Sequence, residues 1–213
     1  MSRRLGTDAF VREIQAMAAA LSPGERRLVA LAGPPGSGKS YVAERLLDGG
    51  PAGAVAVLPM DGYHYDDELL TRLGRRAHKG APDTFDVGGL AAMLKRLAAN
   101  AEEAIAVPRF DRSLEIARAG AILIPQSVKV VVAEGNYLLL DEPPWDALAG
   151  LFHLTAMIET DEAVLRERLT RRWLDHGIAA PEIAARVEDN DLPNGRRVLA
   201  ASRAADIVLR DPA

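Results

Sequence analysis

The chain has 213 residues, 48% of them hydrophobic and 26% charged, a globular composition that excludes a disordered polymer. It has no cysteine, which excludes disulfides and thiolate-held zinc or iron–sulfur centres, and its four scattered histidines argue against a His-only metal site. A formal net charge of −4 argues against a general nucleic-acid surface, so an anionic ligand must be held by a local positive feature.

In chain order, Phe10, Ile14, Met17 and Leu21 recur at helical spacing and read as an amphipathic first helix capped by Thr7. Asp8, Arg12 and Glu13 interrupt what would otherwise be an apolar leader, so no targeting segment is expected. No run reaches the roughly 18 apolar residues of a membrane span, and the default location is cytoplasmic. Leu28–Ala32 is a short apolar strand ending in a Gly/Pro turn, followed by a helix over Lys39–Leu47. A second strand is expected over Ala54–Leu58. Residues 61–86 are polar, contain glycine and carry Tyr63, His64 and Tyr65, as a substrate-binding insertion would. A helix over Val87–Ala99 follows, with Asp83 or Asp86 as its cap. Ala104–Val107 reads as a third strand cut off by Pro108. Arg109, Asp111 and Arg112 after it could reach the cleft or pair among themselves on the surface. Ser127–Ala133, with four valines, is the clearest buried strand, and Leu154–Ile158 and Ile207–Leu209 complete the set. Helices are expected over Asp161–His176 and Pro181–Asn190. Near-continuous apolar strands alternating with helices predict an α/β fold, with a parallel sheet covered on both faces.

The strongest motif is Gly33-Pro34-Pro35-Gly36-Ser37-Gly38-Lys39-Ser40, which fits the phosphate-cradle pattern at every fixed position. Glycines let backbone N–H groups converge on phosphate oxygens, and the helix that follows presents its positive end to the same anion. Lys39 adds a full charge, and the Ser40 hydroxyl is placed to hold Mg²⁺. Gly33, Gly36, Ser37, Gly38, Lys39, Ser40 and Tyr41 are the candidate nucleotide contacts at this end of the sheet.

Open α/β sheets bind ligands at the carboxyl ends of their strands, where Asp61 and Glu134 stand. Asp61 is assigned as the base for an attacking hydroxyl, and Glu134 as a second acid that anchors magnesium. On the Asp161–His176 helix, Arg168 and Arg172 lack an acidic partner at i±4 and are the arginines expected to steady a migrating phosphoryl group. No Asn-Lys pair is present, so a guanine-reading N-K-x-D segment is absent.

Together these segments resemble the superfamily of P-loop kinases that holds uridine kinase, phosphoribulokinase and bacterial pantothenate kinase. The resemblance runs from the phosphate cradle to the final strand. Met60-Asp61-Gly62-Tyr63 resembles the family's aspartate motif, and Val132–Leu138 its E-G strand end. Lys79–Asp86 resembles the pantothenate-kinase-like K-G-x-P-[ED]-[ST]-[FY]-D segment, and Arg166–Gly177 the uridine-kinase lid. Asn190–Gly195 resembles the loop that packs on adenine.

The resemblance implies a three-layer P-loop domain over residues 1–213, with the insertion at about 61–86 and a lid at about 166–180. It implies ATP and Mg²⁺, with Asn190 and Asn194 on the nucleotide. Asp61, Tyr63, His64, Lys79, Asp83, Arg109 and Glu134 are the candidate acceptor contacts. The expected activity is γ-phosphoryl transfer to a hydroxyl of a small metabolite, a fructose-like sugar first, a nucleoside or pantothenate-like alcohol second. A regulatory nucleotide-binding ATPase without an acceptor is the rival class. No nucleic-acid or membrane partner is expected, and the oligomeric state is left open, a homodimer included.

Overall fold

Strands β2 (Arg27–Ala32) and β6 (Val130–Gly135) are apolar at nearly every position, as strands covered on both faces must be. Val29, Leu31, Val130 and Val132 face one side. Leu28, Ala30, Val131 and Ala133 face the other. The computed structural model, which describes residues 2–48 and 53–210, places these strands beside each other in a six-stranded parallel sheet. Its other members are β1 (Arg3–Leu5), β3 (Val55–Pro59), β7 (Leu154–Glu159) and β8 (Ile207–Arg210), in the order β1-β8-β7-β2-β6-β3.

Helices cover both faces. α1 (Thr7–Ala20) and α2 (Lys39–Asp48) bury Phe10, Ile14, Val42 and Leu46 against one side. α4 (Val87–Ala99) buries Leu90, Leu94 and Leu97 against the other, where α7 (Leu192–Ala201) adds Val198. A smaller third cluster joins α5 (Glu162–Asp175), α6 (Ala180–Arg186) and the π-turn Val187–Asp191 through Leu165, Leu169, Ile183 and Val187.

Three expectations change. The N-cap of α1 is Gly6, and Thr7 lies within the first turn, its hydroxyl buried without a partner, so it caps nothing. Ala104–Val107 does not join the main sheet. It opens β4 (Ala104–Asp111), which pairs antiparallel with β5 (Ile116–Pro125) in a separate two-stranded ribbon. The sixth sheet position goes instead to β1, a three-residue edge strand beside β8. Among the described residues, no helix is long and apolar enough to cross a membrane.

Candidate active site

Register places the chemistry. Glu134 on β6 stands opposite Leu31 of β2 on one side and Pro59 of β3 on the other. The phosphate loop leaves β2 two residues after Leu31, and Asp61 comes two residues after Pro59. Loop, Asp61 and Glu134 therefore share one carboxyl edge of the sheet. The turn Met60–Tyr63 carries Asp61 over β6, and Gly135 makes room for it. A Cβ at Gly135 would lie 2.3 Å from Met60 Cβ, so the Asp-Gly and Glu-Gly motifs are coupled by packing.

In the loop, Gly36 and Gly38 take φ of +79° and +89°, which other residues adopt only under strain. Gly33 lies so close to Ser37 that a Cβ would sit 2.7 Å from its Oγ, an oxygen buried without a hydrogen-bond partner. Lys39 Nζ donates to the carbonyls of Gly33 and Pro34, each at 2.9 Å. Burial draws the Lys39 ammonium down to about 8, against the pull of Glu134 and Asp61. Burial likewise pushes Glu134 up to about 7, with Asp61 adding to the rise and Lys39 opposing it. Ser40 and Tyr41 are exposed on the first turn of α2.

Asp61 behaves differently. Burial disfavours its charge, but His64 (once protonated at low pH), Arg112, Lys39 and Arg172 together outweigh burial and hold it below the usual carboxylate range. Arg112, in the turn of the β4–β5 ribbon, donates from Nη2 to Asp61 Oδ2 at 2.6 Å. His64 Nε2 lies 3.9 Å from Asp61 Oδ1, its ring stacked on Phe85 at 4.0 Å between centroids and tilted against Phe110.

Around this centre, Lys79 Nζ binds Asp67 Oδ1 at 2.6 Å and the Glu115 carbonyl at 2.7 Å, lying over the Phe110 ring. It thereby fastens the start of α3 (Asp67–Arg72) to the ribbon turn. Tyr137 donates to the Gly80 carbonyl and Trp145 to that of Pro82, which pins the 79–86 segment to the core.

Helix α5 lies against the phosphate loop, since a Cβ on Gly36 would meet Leu169 Cγ at 3.1 Å. Arg168 Nη1 donates to the Gly36 carbonyl at a long 3.5 Å. Arg172 lies 3.8 Å from Asp191, which also accepts from Trp173 Nε1 at 2.7 Å. Asn194 donates to Asn190, and Asn190 to the Lys79 carbonyl, so the 190–195 stretch touches the acceptor side. Gly195 packs on Pro34 of the loop.

Other candidates stand apart from the cleft's ionic centre. Asp83 is exposed and paired with Arg75 at 2.7 Å. Arg109 is exposed on β4, opposite Arg118. Tyr63 is a core residue whose hydroxyl is buried without a partner. Asp86, not Asp83, caps α4 by accepting from Gly89 N. Sequence reasoning singled out neither Phe110 nor Asp191. Asp191 lies within the Asn190–Gly195 segment already marked by its resemblance, which is the signal available for it, whereas nothing local marks Phe110.

No protein-family model matches the chain. It is 35% identical over 193 residues to the "Uncharacterized protein YggC" of Escherichia coli K12, covering 89% of this chain and 79% of that one. It is 32% identical over 196 residues to the "Putative uridine kinase C227.14" of Schizosaccharomyces pombe, covering 87% of this chain and 83% of that one. Among solved structures, a "putative fructose transport system kinase" from Silicibacter sp. TM1040 superposes with a TM-score of 0.84 at 38% identity, over 96% of this chain and 98% of the other.

Proposed function

Because this chain belongs to the uridine kinase-like family of P-loop kinases and is a phosphotransferase, we propose that it moves the γ-phosphoryl group of ATP to a hydroxyl of a small, sugar-derived metabolite. The observation that carries the reading is the pairing of a complete phosphate cradle with Asp61 on the same sheet edge. In the reaction, the acceptor oxygen forms a bond to the γ-phosphorus and the bond from phosphorus to the β,γ-bridging oxygen breaks. The acceptor proton passes to Asp61, and ADP leaves.

Lys39 turns from the loop carbonyls to the β- and γ-phosphates. Arg172, and Arg168 beside Gly36, steady charge on the moving group from α5, which together with α6 serves as a lid. Asn190, Asn194 and Gly195 line the base side of the nucleotide. Ser40 and Glu134 offer the hard oxygen donors that Mg²⁺ takes. Among the described residues no cluster of three metal-ligating side chains exists, which fits a cation that keeps water and phosphate oxygens as its other ligands. When bound, that cation neutralises phosphate charge.

A sugar skeleton is supported by the fructose-system description of the solved relative. The test is ADP release measured over sugars, sugar acids, sugar phosphates, nucleosides and pantothenate. Release at least about tenfold above the acceptor-free rate is expected for a member of the sugar-derived set. Intact nucleotide binding with no acceptor-dependent release would leave a nucleotide-binding regulator instead.

A further inference from the structure

The base in this cleft is held by Arg112, whose ion pair with Asp61 is its sole one among the described residues. Arg112 places one N–H of its fork on Asp61, and its side chain is 51% exposed, so the rest of the guanidinium is accessible to a ligand that arrives beside Asp61. Of the neighbouring cations, Lys79 is paired with Asp67 and Glu115 and Arg118 with Asp111, while Lys39 and Arg172, now on the loop carbonyls and Asp191, are the groups assigned to the nucleotide's phosphates.

The turn that carries Arg112 is built rather than loose. Asp111 Oδ1 accepts from Ser113 N, Ser113 Oγ and Leu114 N, and Lys79 binds the Glu115 carbonyl. Phe110 lies beneath Arg112, with its ring centroid 5.9 Å from Cζ.

This arrangement is at odds with a neutral acceptor. A carboxylate gripped by a guanidinium is a poor proton acceptor, because the contact favours its charged form. A neutral sugar has nothing to exchange for Arg112 and would leave the base gripped throughout. A carboxylate or phosphate on the acceptor can take both arms of the fork, a stronger arrangement than the single bond to Asp61.

We propose that the acceptor is itself an anion, a hydroxyl compound bearing a carboxylate or a phosphate, and that its anionic group draws Arg112 off Asp61 and frees the base. This rests on Asp61 being the base and narrows the acceptor to sugar acids and sugar phosphates. Arg112 is then a specificity-determining residue that also couples acceptor arrival to release of the base.

The experiment compares matched acceptors: fructose against fructose 6-phosphate, ribose against ribose 5-phosphate, and glycerol against glycerate, with gluconate added. The best anionic member should exceed its neutral counterpart in kcat/KM by at least about 30-fold, the scale of one charge-paired contact. In Arg112→Gln that ratio should collapse toward unity, through a higher KM for the anion and a higher kcat for its neutral counterpart, and Arg112→Lys should restore part of it. A role confined to holding the turn would lower both acceptors equally and leave the ratio unchanged, which overturns the proposal. Preference for the neutral members also overturns it.

If no member turns over, calorimetry with the same anions and a non-hydrolysable ATP analogue decides. Binding that Arg112→Gln abolishes supports the proposal, and absence of binding contradicts it. Failure of the base assignment is read separately. Asp61→Asn with full turnover removes the base, whereas the charge preference stands or falls on the Arg112 ratio.

Discussion

His64 shows how one residue's surroundings fix its charge. Its side chain is 9% exposed and stacked on Phe85, and burial holds the imidazole down to about 4, with Asp61 resisting and Lys79 and Arg112 assisting. The folded protein therefore keeps His64 neutral where an unfolded chain would protonate it. Between pH 6.5 and 4 the unfolded state binds the extra proton, so stability is lost as pH falls through that window. The full shift corresponds to about 3 kcal/mol, an upper bound for this group's share. Unfolding free energies of the wild type and His64→Phe, measured from pH 7 to pH 4, should diverge as pH falls, the wild type losing more. Parallel pH profiles would show that His64 is protonated without penalty in the fold. The same neutral ring leaves the ionic balance at Asp61 to Arg112, Lys39 and Arg172, of which Arg112 makes the direct contact from 51 positions away in sequence. That separation is why the pair could not be read from local pattern. Arg112 was visible as a basic residue after a strand, but the partner it meets depends on how the ribbon is laid over the turn.

At the level of elements, the tightest of the contacts that hold the ribbon β4–β5 over the Asp61 turn is one between backbones. Gly62 touches Pro108 so tightly that a Cβ would lie 2.7 Å from its carbonyl oxygen. Backbone on both sides cannot yield cheaply, so Gly62→Ala must push the ribbon, and Arg112 with it, away from Asp61. A cost of about 1–3 kcal/mol is expected in denaturant unfolding. Acceptor kcat/KM should fall by more than about tenfold while ATP affinity, set on the other side of Asp61, stays unchanged. Unchanged acceptor kinetics would mean that the ribbon does not shape the site.

Elements were legible to different degrees for physical reasons. Helix α4 runs over the expected Val87–Ala99 because its ends carry local signals, the Asp86 cap and Asn100 in the left-handed conformation. The second ribbon strand was missed because Ala117, Arg118, Ala119, Gly120 and Ala121 lie largely outside the core and show no alternation. Strand β1 escaped because its three residues are largely exposed and only edge pairing with β8 makes them a strand. Expected helix over Pro181–Asn190 becomes a short α6 followed by a π-turn, which draws Asp191 into contact with Trp173 and near Arg172.

For the molecule as a whole, the parallel sheet was readable because β2 and β6 must be apolar on both faces, and the cradle was readable because its chemistry demands contiguous residues. From those two facts the placement of Asp61 and Glu134 at one edge follows from strand direction alone. What folding adds is the acceptor side, where the turn at Asp61, the 79–86 segment and the ribbon meet, tied to the nucleotide-side 190–195 stretch by the bond from Asn190 to the Lys79 carbonyl. No run of sequence contains that surface, which is why the acceptor's identity has to be sought in the geometry around Arg112.

The central claim is that Asp61 takes the acceptor's proton beside a nucleotide held independently by the cradle. Its most direct test is Asp61→Asn, with turnover and ATP affinity measured on the same preparation. Turnover should fall by about 10²- to 10⁴-fold while the ATP dissociation constant moves by no more than about threefold. Turnover within a few-fold of wild type would contradict the account.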